Sequence, residues 1–228
     1  VNIGAQVYLD TWSPKYPTEL DSYLETNGNL NNGFFNGISI WDQNGSEIDK
    51  SGNNGPIWSP ENYSYINDKA RNSYSISVSF SQILSKRAQG AIFFDIVQQN
   101  GWLANPMQRV YFSDKENYYI GNPESIPVYT SNKNTNVFQL ADDIERLPDT
   151  RIKTPIGLRF NYFINEYLSL RTYYRYYFDD WGVNSHTANI EMPIKISDKF
   201  PLYPSFRYYT QTAADYFAPY NENISTDN

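Results

Sequence analysis

From Asn72 to Leu84 the chain sorts its residues into two sets. Tyr74, Ile76, Val78 and Phe80 alternate with Ser73, Ser75, Ser77, Ser79 and Ser81. A period of two is the pattern of a strand, whose successive side chains point to opposite faces; a helix would mix the two sets on every face. After a turn at Ser85-Lys86-Arg87-Ala88, the run Gly90 to Gln98 sets Ile92, Phe94 and Ile96 against Asp95, so the two runs form a hairpin. Thr154 to Phe163 opposes Ile156, Leu158, Phe160 and Tyr162 to Gly157, Arg159 and Asn161. Tyr167 to Asp180 opposes Leu168, Leu170, Thr172, Tyr174, Tyr176 and Phe178 to Ser169, Arg171, Tyr173, Arg175, Tyr177 and Asp179. His186 to Ile196 opposes Ala188, Ile190, Met192 and Ile194 to Thr187, Asn189, Glu191 and Lys195. A last run from Leu202 to about Thr212 has Tyr203, Ser205, Arg207, Tyr209 and Gln211 as its polar row. Val1 to Trp12 and Phe34 to Trp41 are weaker strand candidates, separated by the Asn/Gly-rich segments Asn27 to Gly33 and Gly45 to Gly55. No helix is predicted beyond a turn around Leu140 to Arg146.

The connections are as informative as the strands. Those after residues 84, 163 and 196 are tight, whereas 99 to 153 is a long excursion and another begins after Thr212. The link over 181 to 186 is brief but falls on the long-loop side; the stretches 13 to 33 and 42 to 71 depart from a simple meander. Short turns at one end and long loops at the other are the layout of an outer-membrane barrel, with the turns in the periplasm and the loops outside. The expected fold is therefore all-β, an antiparallel up-and-down transmembrane β-barrel. The tail Asn221 to Asn228 is polar and loop-like where a closing amphipathic strand is wanted. Residues 1–228 accordingly read as a single barrel domain, incomplete at both ends, from a larger barrel of about 12 or more strands, with a long extracellular loop within 99–153.

Composition narrows the function classes. Lys+Arg number 18 against 25 Asp+Glu, a formal charge of −7. A nucleic-acid partner is disfavoured, because polyanion binding requires a basic stripe that displaces counterions. Cysteine is absent, which removes disulfide scaffolds, thiolate zinc sites and cysteine nucleophiles together. No stretch approaches the roughly 18 apolar residues of a spanning helix. Only 40% of residues are hydrophobic, yet 17% are aromatic, including 21 Tyr and 13 Phe, as in strands set between two solvents.

Alternation alone does not say whether the apolar row faces a core or lipid. A soluble β-sandwich is one solution. Three features favour lipid. The polar rows carry Arg159, Arg171, Arg175, Glu191, Lys195 and Arg207, long ions that can pair inside a hydrated lumen. Tyrosines gather toward strand ends at Tyr174, Tyr176, Tyr177, Tyr208 and Tyr209. Strands of about 10 residues match a tilted crossing. Pro193 and Pro204 stand against it, since they cannot donate to a ladder; both lie close to the Ser197-Asp198-Lys199 turn, where pairing ends.

Four segments carry a resemblance: SFSQILSKRAQG (79 to 90), RLPDTR (146 to 151), YRYYFDDWGVNSHT (174 to 187) and RYYTQTAADYF (207 to 217). Over about residues 70 to 220 the chain resembles the Gram-negative outer-membrane proteins grouped as domain of unknown function 3570, and is most similar to Bacteroidota members. The resemblance implies an exported barrel in the bacterial outer membrane, longer at both ends than this chain. It implies no reaction. Some relatives are encoded beside flavin-transferase and small lipoprotein genes, an association that suggests an accessory envelope role.

Candidate chemistry gathers on the long-loop side. Asp142, Asp143, Glu145 and Asp149 precede one strand, Asp179 and Asp180 end the next, His186 opens another and Asp215 follows the last. Oxygen ligands at Asp179, Asp180 and Asp215 suit Ca²⁺. The plainer reading has the carboxylates bonding loop backbone and pairing with Arg146 and Arg151. His186, the single histidine, faces Asp179 or Asp180 across a short hairpin; an Asp–His pair can activate water, or the ring simply fixes the hairpin. No nucleophile elbow and no phosphate-cradling glycine loop is present. Trp58, Trp102 and Tyr118-Tyr119 in the long loops are either stacking platforms for sugars or proteins, or the core of the loops themselves.

The function this sequence favours is a non-enzymatic outer-membrane barrel without cofactor, working as a pore or as a structural or accessory subunit of an envelope complex. Arg159, Arg171, Arg175 and Arg207 with Glu191 either line a polar channel or cross-link to plug it, and the plugged lumen is favoured because paired Arg and Tyr side chains fill much of a small lumen. The barrel's partners are outer-membrane lipid and other outer-membrane proteins or lipoproteins. A soluble secreted sandwich binding glycans through Trp and Tyr is the alternative, and a rim Asp–His hydrolase the third reading.

Overall fold

The computed structural model describes residues 1–13, 15, 21, 33–50, 68–105, 108–128, 136–219 and 221–225. Trp58 and parts of the Asn27 to Gly33 and Gly45 to Gly55 segments lie outside the described residues. The chain divides into two compact units: Val1–Trp12, Ala70–Leu103 and Pro148–Phe217 form the first, and Ser13–Lys69, Ala104–Leu147 and Ala218–Asn228 the second.

The first unit is a ten-stranded antiparallel sheet. Its strands are β1 (Asn2–Tyr8), β2 (Thr11–Trp12), β3 (Lys69–Ser85), β4 (Ala88–Gly101), β5 (Thr150–Asn165), β6 (Leu168–Asp179), β7 (Asn184–Glu191), β8 (Ile194–Ser197), β9 (Phe200–Leu202) and β10 (Ser205–Gln211). The main path β1-β3-β4-β5-β6-β7-β10 follows the chain, so the sheet is a meander. It is not closed: β1 pairs with β3 and β10 with β7, and the two edge strands do not pair with each other.

The register sets apolar residues of neighbouring strands opposite one another. Ile76 pairs with Ile96, Val78 with Phe94 and Phe80 with Ile92; Ile156 and Leu158 continue the row from Phe94 and Ile92; Tyr174 and Tyr176 meet Leu158 and Ile156; Ile190 meets Phe206. One continuous apolar face results, because cross-strand partners share a face. This face is exposed: Leu158 is 50%, Ile190 48% and Phe206 69% accessible, and Leu170 is half-buried. Serine, Arg159, Arg171, Arg175, Glu191 and Arg207 share the opposite face.

The prolines mark where the ladder breaks. The run His186 to Ile196 is interrupted at Met192-Pro193, and the last run at Tyr203-Pro204, giving β7 with β8 and β9 with β10. Each proline still accepts: Ser169 N–H donates to Pro193 O at 3.2 Å and Met192 N–H to Pro204 O at 3.0 Å. Pro155 stands inside β5, where pairing with β4 lapses between Lys153↔Val97 and Ile156↔Phe94 without a change of register, as expected of a residue lacking N–H.

The second unit has what the sheet lacks, an apolar core. Phe35, Ile40, Ala104, Phe112, Tyr118, Tyr119, Ile126, Val137, Leu140, Ala141 and Ile144 are all buried. Ile40–Asp42, Tyr118–Gly121 and Val137–Gln139 form a three-stranded sheet, and Arg109–Val110 pairs with Asp143–Ile144. The described residues of 104–147, within the long excursion, belong to this second unit. Two expectations are corrected here. Phe34 to Trp41 is not one strand: Gly33–Phe35 is a 3-10 turn and only Ile40–Asp42 is extended. Asp143–Ile144, within the expected turn at Leu140 to Arg146, is extended.

Candidate functional site

The polar face of the sheet and the end where the long connections leave it hold the residues of interest. The face is concave. Asn2 on β1 and Tyr173 on β6, four steps apart in the sheet order, line one cavity of about 730 Å³ together with Ser77, Asp95 and Arg159.

Most cations on this face lie against the wall. Arg159 sits 5.2 Å from the Phe93 ring centroid and 5.7 Å from that of Tyr173, and the two rings stack at 5.6 Å. The Phe93 ring covers Gly157, where a Cβ would come within 2.1 Å of it. A glycine in a strand is thus covered by an aromatic ring, which restores packing that the missing side chain forfeits. Arg171 donates to Glu191 at 2.9 Å, across the register pair of β6 and β7. Arg175 lies 5.6 Å from the Tyr177 ring centroid. Lys195 pairs with Asp198 in the β8–β9 turn at 2.5 Å. Phe93, Gly157 and Tyr173 carry part of this site, and composition gave them no prominence; the available signal was two rings standing in otherwise polar rows.

At the loop end Asp179 organises a knot. Its side chain is 0% exposed and ion-paired with Arg151, whose Nε donates to Oδ2 at 2.9 Å. The Tyr177 hydroxyl donates to the same oxygen at 2.5 Å, while the Trp181 and Val183 amides donate to Oδ1 at 3.0 Å each. Arg151 also lies over the Trp181 ring at 4.4 Å, and Trp181 Nε1 donates to Thr150 O at 3.0 Å. Gly182 adopts φ +79°, and a Cβ there would fall 2.1 Å from the Asp215 carboxylate. Asp215 N–H donates to Trp181 O at 2.8 Å and the Thr212 hydroxyl to Gly182 O at 3.1 Å. The DDWGVNS and TQTAAD segments are therefore parts of one hydrogen-bonded corner.

The remaining rim residues are distributed differently from the sequence expectation. Asp180 pairs reciprocally with Ile152, accepting its N–H at 2.9 Å and donating to its carbonyl at 3.2 Å. Asp149 accepts the Gly101 N–H through its backbone carbonyl at 2.7 Å. Asp142 and Asp143 belong to the second unit and are buried. There Asp142 accepts the Phe112 N–H at 2.8 Å and Asp143 meets Arg146 at 3.4 Å. Glu145 accepts the Asn105 N–H at 2.7 Å. Among the described residues no group of three or more His, Asp or Glu is placed to hold a metal ion, so Asp179, Asp180 and Asp215 do not assemble the Ca²⁺ site; both Asp179 oxygens already have donors.

His186 is also corrected. It does not face Asp179 or Asp180. The register sets it opposite Tyr176 and Thr210 in the apolar row, its Nδ1 shares a hydrogen bond with the Tyr174 hydroxyl at 2.7 Å, and its ring lies 5.0 Å from that of Tyr176. Among the described residues His186 therefore forms no dyad with Asp179 or Asp180. Tyr118 and Tyr119 are core residues of the second unit, and Trp102 stacks on Trp12 at 6.4 Å, so these rings are not open platforms.

The profile of the family described as Protein of unknown function (DUF3570) matches residues 24–226. Nothing among curated proteins and nothing among solved structures matches the chain.

Proposed function

The chain belongs to the DUF3570 family of proteins of unknown function, and from that membership and the sheet's two faces we propose that it is part of the wall of a bacterial outer-membrane β-barrel. The apolar face lies against lipid and the polar face against a hydrated lumen. The observation that carries this reading is the inverted burial of the sheet. Leu158, Ile190, Phe206 and their neighbours are exposed on one face, while the charged row lines a concave cavity. Exposed large apolar side chains forgo roughly 1.5–3 kcal/mol each in water, and a row this long is stable only where the solvent is hydrocarbon. A sandwich requires the apolar row to be buried, and Leu158, Ile190 and Phe206 are about half exposed or more.

The protein works as a pore rather than a plug. Arg151, Arg159 and Arg171 are held against the sheet by Asp179, by the Phe93 and Tyr173 rings, and by Glu191, which leaves the cavity beside them open. No catalytic group is needed for passage. Membrane fractionation tests the first half: the protein stays with the membrane through washes without detergent, and release into buffer would remove the barrel. Planar bilayers test the second half: steady single-channel conductance is the expected result, and a silent but inserted protein would leave a structural envelope subunit instead.

A further inference from the structure

A second cavity, of about 420 Å³, opens on the polar face over β5, β6, β7 and β10. Arg151, Lys153, Arg175 and Arg207 line it, together with the hydroxyl residues Ser185 and Thr187. We propose that this cavity is a binding site for a phosphate-type oxyanion of two or more charges, drawn into the lumen at the loop end of the sheet.

The charge balance of the wall is the first support. No carboxylate residue lines this cavity. Asp179 pairs with Arg151 and, as the register partner of Lys153, also attracts its ammonium, but Lys153, Arg175 and Arg207 form no ion pair among the described residues, unlike Arg171 and Lys195 on the same face. Four cations against one nearby carboxylate leave the volume net positive, and an anion relieves their mutual repulsion. The second support is the donor set. Ser185 and Thr187 are 6% and 8% exposed, and their side chains have no hydrogen-bond partner among the described residues; they offer two hydroxyl donors at the cavity floor. Guanidinium forks, an ammonium and hydroxyls are the groups that match phosphate oxygens. The third support is position. Arg151 and Lys153 begin β5, Ser185 is near the start of β7, and Arg207 lies on β10, whose neighbour Gln211 ends it. The cluster therefore sits where the long connections leave the sheet, and a solute entering from that side meets it before the larger cavity.

The assignment deepens the pore reading and rests on it only for the route of entry. Calorimetric titration of the full chain in detergent with inorganic pyrophosphate, at about 0.15 M salt, gives saturable binding with a dissociation constant below about 1 mM. Lys153→Gln and Arg207→Gln each weaken binding by about tenfold. Arg171→Gln, which removes a cation already paired with Glu191, leaves it within about twofold. Absence of saturable binding to the native chain, or equal binding by the native, Lys153→Gln and Arg207→Gln forms, overturns the site. Fractionation of the same preparations separates the two ideas. Pyrophosphate binding by a protein that leaves the membrane without detergent sinks the barrel and keeps the site; a membrane-held protein that ignores pyrophosphate sinks the site alone.

Discussion

Asp179 shows how much one side chain carries at the loop end. Four different residues, Arg151, Tyr177, Trp181 and Val183, donate to its two oxygens. Removing one partner of a buried, hydrogen-bonded ion pair leaves the other uncompensated, at a cost of about 3–5 kcal/mol. Asp179→Ala is expected to lose about that much in urea unfolding from bilayers, followed by Trp fluorescence, because Trp181 packs under Arg151. A loss under about 1 kcal/mol would show that the knot closes without its carboxylate. Gly182 tests the same corner differently. Its φ of +79° disfavours any Cβ, and the Asp215 carboxylate occupies the space one would take. The left-handed conformation alone costs Gly182→Ala about 1–2 kcal/mol, and the contact adds to it. Gly182→Ala combined with Asp215→Ser should recover the steric part and not the conformational part, so the two changes are expected to be non-additive.

Single strands test which solvent bathes each row. An arginine at the hydrocarbon midplane of a barrel costs about 2–4 kcal/mol, whereas a half-exposed position in water tolerates it within about 0.5 kcal/mol. Leu158→Arg, in the apolar row of β5, is therefore expected to cut folding into bilayers sharply. Ser77→Arg, on the polar face of β3, should fold as the native chain does. Equal tolerance at both positions would put water on both faces. The strands themselves were legible because a half-buried row and a period of two are the same fact, and β3 to β7 follow the alternation nearly residue for residue. His186 shares the parity of Ala188 and Ile190, so its place in the apolar row was readable as well; pairing it with Asp179 or Asp180 required the ladder to slip by three or four residues from the register that sets it opposite Tyr176. Phe35 and Ile40 were legible only as apolar residues. They are buried in a small irregular core, where tertiary contacts, not periodicity, set the backbone. The Asp179–Arg151 pair joins residues 28 positions apart; the sequence reading that rim carboxylates pair with Arg146 and Arg151 names the cations, but nothing local says which carboxylate each one takes.

At the scale of the whole chain, two kinds of stability coexist. Among the described residues, the buried large apolar side chains belong to the second unit, with Trp181 the exception on the sheet side. The second unit is thus held by the hydrophobic effect, and its response to pH can be read from its own groups. Asp114 accepts from the Ser225 hydroxyl at 2.5 Å and from the Ser225 N–H at 3.0 Å, and these bonds hold its carboxyl below the ordinary value of 3.8. The unfolded carboxyl therefore binds protons more tightly. The stabilisation is present above about pH 3.8 and drains away as pH falls through the lower native value. Tyr118 has the opposite sign: burial, then its hydrogen bond to Glu116, push the phenol from 10.0 up to about 12. Its contribution is complete below pH 10 and is lost as pH rises toward 12. Trp41 packs against the Tyr119, Ile126 and Val137 cluster, so fluorine resonances of 5-fluorotryptophan at this position report that core directly. The native chain should show a resonance that shifts to its unfolded position at both pH extremes. Ser225→Ala moves the acid limb upward, and Tyr118→Phe flattens the alkaline one. An acid limb unmoved by Ser225→Ala would place the acid sensitivity of this unit on carboxylates other than Asp114.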